Sequence, residues 1–207
     1  MDTESLDVAS AAELLRRQDA LQAEAYQLIA RLDLPAMLSR AGKPEHIGSS
    51  VSGLMAWRDI DFNVLCSNLS ADLAFETMRP LITNPHVSRL HYHNESGSYT
   101  LPELRGDERY YFVTYYETEA GNEWKIDISF WLSDRPRDQL AHLEYLSRHL
   151  TDETRLAILW IKDVWRHLPV YPYQVGGTEI YDAVLEHGVR TPTQFDMYLL
   201  ERGMPGR

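Results

Sequence analysis

The chain has 207 residues, 44% apolar and 25% charged, with a formal net charge of −11 at neutral pH. That balance supports one substantial core and excludes a disordered or fibrous chain. The acidic excess argues against broad nucleic-acid binding, in which lysine and arginine displace counterions from phosphates; a cationic small molecule or a protein fits better.

The single cysteine, Cys66, excludes an internal disulfide. The acidic start from Met1 to Ser5 lacks the basic and then apolar segments of a signal peptide. No run approaches the ~18 apolar residues of a membrane span. A cytoplasmic protein without membrane contact is expected.

In chain order, helical spacing of Leu14, Leu21, Tyr26 and Ile29 predicts an amphipathic helix from Ser10 to about Leu34, with Ser10 and Glu13 as a capping box. A short helical turn follows from Pro35 to Arg40, then a short strand ending at Gly48. The stretch from Gly48 to Gly53 is rich in small residues and reads as a turn entering a helix. Residues 59–66 alternate, with Asp59, Asp61 and Asn63 on one strand face and Ile60, Phe62 and Val64 on the other.

A helix is expected from Ser70 to Leu81, with Leu73, Met78 and Leu81 inward, and a strand from His86 to His93. Two aromatic, β-branched runs, 109–118 and 123–132, flank a turn at 119–122 and predict a hairpin. In its second strand Trp124, Ile126, Ile128 and Phe130 form the apolar face, so Lys125, Asp127 and Ser129 share the other. The period then becomes helical: 135–150, 151–168 with Thr151 as N-cap, 179–186 and 193–202.

Aspartates at i and i+2 of a strand point the same way with their roots ~7 Å apart, close enough to clamp a pair of metal ions. Magnesium prefers such hard oxygen ligands. Just upstream, Gly48-Ser49 offers backbone N–H groups, a hydroxyl and close approach for phosphates, at a position that opens a helix.

Gly48-Ser49, nine intervening residues and Asp59-Ile60-Asp61-Phe62 resemble the signature of the DNA polymerase β-like nucleotidyltransferase superfamily, and the arrangement from about Ile47 to Phe130 is similar to small bacterial antibiotic adenylyltransferases. The resemblance implies an α+β fold: a nucleotidyltransferase-type mixed β-sheet core flanked by helices, with a catalytic domain at 1–133 and a helical region at 134–207. It implies that Asp59 and Asp61 bind two magnesium ions and that Asp127 binds one of them while helping an acceptor hydroxyl lose its proton. AMP from ATP is the expected transferred group, and the acceptor is a hydroxyl-bearing molecule, a small one being favoured. The chain departs from the pattern after Gly48-Ser49, where Ser50-Val51-Ser52 carries no base. Arg58 and Lys125 are therefore the candidates for supplying charge to the nucleotide phosphates. The alternative is a non-catalytic nucleotide-sensing or interaction protein that keeps the fold.

His91 and His93 share a strand face, but with no third ligand nearby they read as structural rather than zinc-binding. Tyr110, Tyr111, Tyr115 and Tyr116 crowd one strand, where aromatics commonly pack.

Overall fold

A computed structural model describes residues 4–100, 102 and 105–207. The chain divides into two compact units, each assembled from separated segments. One takes Gln22–Ser52 and Trp57–Glu144; the other takes the residues up to Leu21, Gly53–Ala56 and Tyr145–Arg207. Among the described residues no helix is long and apolar enough to cross a membrane.

Helix α1 (Val8–Arg31) is followed by α2 (Leu34–Leu38), β1 (Lys43–Ile47), the single turn α3 (Ser49–Ser52), β2 (Asp59–Leu65), α4 (Ala71–Ile82) and β3 (Val87–Glu95). A short 3₁₀ turn leads to β4 (Arg109–Glu117), β5 (Glu123–Trp131), α5 (Asp138–His149), α6 (Asp152–Trp165), α7 (Gly177–Glu186) and α8 (Pro192–Glu201).

The five strands form one mixed sheet in the order β1-β2-β5-β4-β3. The hairpin is closed by Thr118 N–H to the Asn122 carbonyl and Gly121 N–H to the Thr118 carbonyl, both at 2.9 Å, with Gly121 at φ +75°. β1 runs antiparallel to β2, and β2 runs parallel to β5. A parallel pair cannot be joined by a tight turn, and here the crossover carries α4, β3 and β4.

Strand alternation makes the sheet two-faced. Ile60 and Val64 of β2 and Trp124, Ile126, Ile128 and Phe130 of β5 are wholly buried. Ala74, Met78 and Leu81 of α4 and Ala25, Leu28 and Ile29 of α1 are buried with them, and each such large side chain contributes ~1.5–3 kcal/mol through removal from water. At the end of this core, Trp124 Nε1 donates to Glu24 at 2.9 Å, which satisfies the indole that burial would otherwise strand. The opposite face carries the polar residues.

In the other unit, Ile158, Ile161 and Trp165 of α6, Ile180 and Val184 of α7 and Phe195 and Leu199 of α8 form the core, with the Trp165 and Phe195 rings edge to face at 5.1 Å. Thr151 caps α6: its hydroxyl accepts from Thr154 N–H at 3.2 Å and its own N–H donates to Thr154 Oγ1 at 2.8 Å. Lys162 is only 2% exposed. Its ammonium donates to the Leu54 carbonyl at 2.6 Å and to the Tyr181 hydroxyl at 3.3 Å, partners that make its burial tolerable.

Two local expectations are corrected. Helix α1 begins at Val8, and its cap is Asp7, whose carboxylate accepts from the Ser10 N–H and hydroxyl, while Glu13 pairs with Arg16. An aspartate three residues earlier wins because its two oxygens satisfy both Ser10 donors. Met78 and Leu81 are buried as expected, but Leu73, also expected inward, is 41% exposed, and Ala74 and Thr77 complete the buried stripe of α4.

Candidate active site

Because β2 and β5 lie side by side in parallel register, Asp59 stands opposite Lys125 and Asp61 opposite Asp127, all on the polar face. Ligand oxygens of Asp59, Asp61 and Asp127 lie within 4.8 Å of one another. This is the one group among the described residues with three side chains able to share a metal ion; His91 and His93 do not form such a group. They lie instead beside tyrosines, His91 at 5.7 Å from the Tyr115 ring and His93 at 5.8 Å from that of Tyr111.

The side chains of Asp59 and Asp127 are 14% and 13% exposed. Lys125 Nζ donates to Asp127 Oδ2 at 2.6 Å and to Asp59 Oδ1 at 3.5 Å. The Trp57 indole donates to Asp59 Oδ2 at 3.3 Å, and the Tyr111 hydroxyl to Asp127 Oδ2 at 2.7 Å. Asp127 Oδ1 is buried and has no hydrogen-bond partner.

Burial pushes the Asp59 carboxyl above its usual range and the Asp127 charge adds to the shift, against the pull of Lys125 and Trp57. Lys125 also moves upward: burial opposes its charge, but Asp59 and Asp127 outweigh it. The two shifts are compatible, because the ammonium interacts with both acids whereas Asp59 loses more to burial than the longer 3.5 Å contact returns. The Lys125 ammonium pairs with Asp59 and Asp127, and a buried oxygen of Asp127 lacks a donor. Three convergent carboxylates offer the hard oxygen ligands that fit a divalent cation such as magnesium.

Gly48 follows β1, where Ile47 is in register with Asp61. Its φ of +80° suits glycine, and an added Cβ would fall 2.2 Å from Asp61 Oδ2. The turn and the carboxylate are thereby in direct contact. Ser49 opens α3, and the turn is braced from beneath: the buried Ser50 hydroxyl meets His46 Nε2 at 2.8 Å, and Gln22 donates to the Ser50 carbonyl at 2.7 Å. Burial lowers the His46 imidazole to about 4.

The sequence-derived residues thus separate. Asp59, Asp61, Asp127 and Lys125 come together, with Gly48 against Asp61 and Ser49 next to it. The Arg58 guanidinium is bound by Glu24 at 3.1 and 3.4 Å, and its backbone carbonyl accepts from Lys125 N–H at 3.1 Å. Tyr111, Trp57 and Glu24 were not anticipated in these contacts. The hairpin register holds the signal for Tyr111: Val113 opposes Asp127, and Tyr111 is its diagonal neighbour on the same face.

No protein-family model matches the sequence, and no curated protein matches it. Among solved structures, the Cid1 poly(U) polymerase overlays with a TM-score of 0.57 and 18% identity, covering 86% of this chain and 55% of that one. A cytoplasmic RNA terminal U-transferase gives a TM-score of 0.45 at 18% identity, covering 75% of this chain and 47% of that one. CdnC of E. coli MS115-1 with ATP gives 0.46 at 14% identity, covering 95% and 68%. This chain spans about half the length of the polymerase and the U-transferase. The mixed five-stranded sheet and its flanking helices share the fold of the Cid1 poly(U) polymerase.

Proposed function

We propose that this chain transfers a nucleoside monophosphate, AMP from ATP, to a hydroxyl of a small-molecule acceptor, with pyrophosphate leaving. The observation that carries the reading is the convergence of Asp59, Asp61 and Asp127 oxygens within 4.8 Å on two adjacent strands of this fold. Asp59 and Asp61 hold magnesium, with two ions expected, and Asp127 completes the set. Bound there, magnesium would neutralise negative charge that develops on the phosphates during transfer.

The chain's own groups divide the remaining work. Asp127, while contributing to the metal site, helps the acceptor hydroxyl lose its proton. The Lys125 ammonium, among the acids, supplies positive charge to the phosphates. Gly48 lets the turn approach closely, and Ser49 adds a hydroxyl there. The net charge of −11 favours a cationic acceptor over a polyanionic one.

Calorimetric titration of ATP and the other NTPs, with and without magnesium, into wild type and an Asp59→Asn, Asp61→Asn double variant tests the reading. Magnesium-dependent binding to wild type that disappears in the variant is expected. Binding that survives the double substitution, or no binding to wild type, overturns it.

A further inference from the structure

We infer that Tyr111 is a positioning residue for this site: with Lys125 it fixes Asp127 through Oδ2 and so presents the other oxygen, Oδ1, to the cation. The inference rests on the proposed metal site and assigns a role to a strand residue outside it.

The terminal torsion of an aspartate is broad, so a carboxylate with no anchors is free to rotate and does not hold its oxygens in fixed directions. At Asp127 the donors are unequally shared. Oδ2 accepts from the Tyr111 hydroxyl at 2.7 Å and from Lys125 at 2.6 Å, whereas Oδ1, itself buried, accepts from neither. Rotating the group away from this torsion would draw its oxygen from both donors, so the pair fixes the plane of the carboxylate and with it the direction of the second oxygen.

Tyr111 is the more durable of the two anchors. Lys125 has a flexible stem and a second acid, Asp59, within 3.5 Å. It is also the group drawn toward phosphate when nucleotide binds. The Tyr111 ring, by contrast, is held: the Arg109 guanidinium lies 4.4 Å from its centroid, and Arg109 is itself anchored by Ser129 Oγ at 2.9 Å and Glu95 at 2.6 Å.

Free Mn²⁺, followed by its electron paramagnetic resonance signal, is titrated into wild type, Tyr111→Phe, Asp127→Asn and the double variant, each with a thermal melt. Phenylalanine keeps the ring packing and removes only the hydroxyl. Weakening by Tyr111→Phe on the order of tenfold is expected, the scale on which partners of metal ligands act. In the Asp127→Asn background the same substitution should produce no further weakening, because its effect passes through that carboxylate. Equal weakening in both backgrounds, wild-type affinity in Tyr111→Phe, or a melt showing that Tyr111→Phe fails to fold overturns the positioning role while leaving the metal site standing. Wild-type affinity in Asp127→Asn, or no Mn²⁺ binding to wild type, overturns the metal site and the inference with it.

Discussion

Gly48 and Asp61 occupy space that admits no side chain between them: a Cβ on the glycine would lie 2.2 Å from the aspartate Oδ2, at a backbone φ of +80°. Gly48→Ala therefore meets two penalties, left-handed backbone strain and displacement of a site carboxylate. A loss of about 1–3 kcal/mol in urea unfolding is expected, together with weakened magnesium-dependent nucleotide binding. An alanine variant with wild-type stability and affinity would contradict this contact.

Lys125 is the ammonium that the structure places between Asp59 and Asp127. Lys125→Met leaves those carboxylates without it and should lower stability in metal-free buffer by about 1–3 kcal/mol, less than a fully enclosed pair because the side chain is 32% exposed. Magnesium should restore more of the melting temperature in this variant than it adds to wild type. Melts in EDTA and in excess magnesium measure both quantities.

Arg58 tests a division of labour. Its guanidinium and the Trp124 indole share Glu24 as acceptor. Glu24→Ala should cost about 1–3 kcal/mol by stranding both donors, and Arg58→Ala should weaken nucleotide binding less than Lys125→Met does. Urea unfolding and calorimetry of the three variants separate the two roles.

His46 gives a pH dependence of defined sign. Its folded value of about 4 lies below the ordinary 6.5, so between those values the unfolded chain binds the proton and the folded chain does not. Its contribution is intact above pH 6.5 and is lost as pH falls toward 4, with a slope approaching ~1.4 kcal/mol per pH unit. The difference in unfolding free energy between wild type and His46→Gln should narrow across that window; a difference independent of pH would refute the assignment.

Most of the site's strand framework is legible in the sequence because alternation is local: Asp59 and Asp61 share a face by period, as do Lys125 and Asp127. Gly48 stands out as a glycine next to a strand end for the same local reason. What is not legible is what depends on register between strands. That β2 pairs with β5 in parallel follows from a crossover no short window contains, and the Tyr111 contact with Asp127 follows from the hairpin register. The Glu24 partner of Arg58 on α1 is likewise not legible, because adjacency to Asp59 says nothing of it. Leu73 and Asp7 differ from expectation by a turn or less of helix, where a hydrophobic pattern alone is coarse.

The parallel pairing of β2 with β5 also bears on the order in which the chain assembles. Asp59 and Asp61 belong to one strand and Asp127 to another, with a helix and two strands between. Pairing at such separation waits on loop closure, so the carboxylates remain hydrated and apart until the crossover closes. The repulsion between Asp127 and the β2 pair falls on that closing event, and Lys125, two residues from Asp127 on the arriving strand, brings the compensating charge with it.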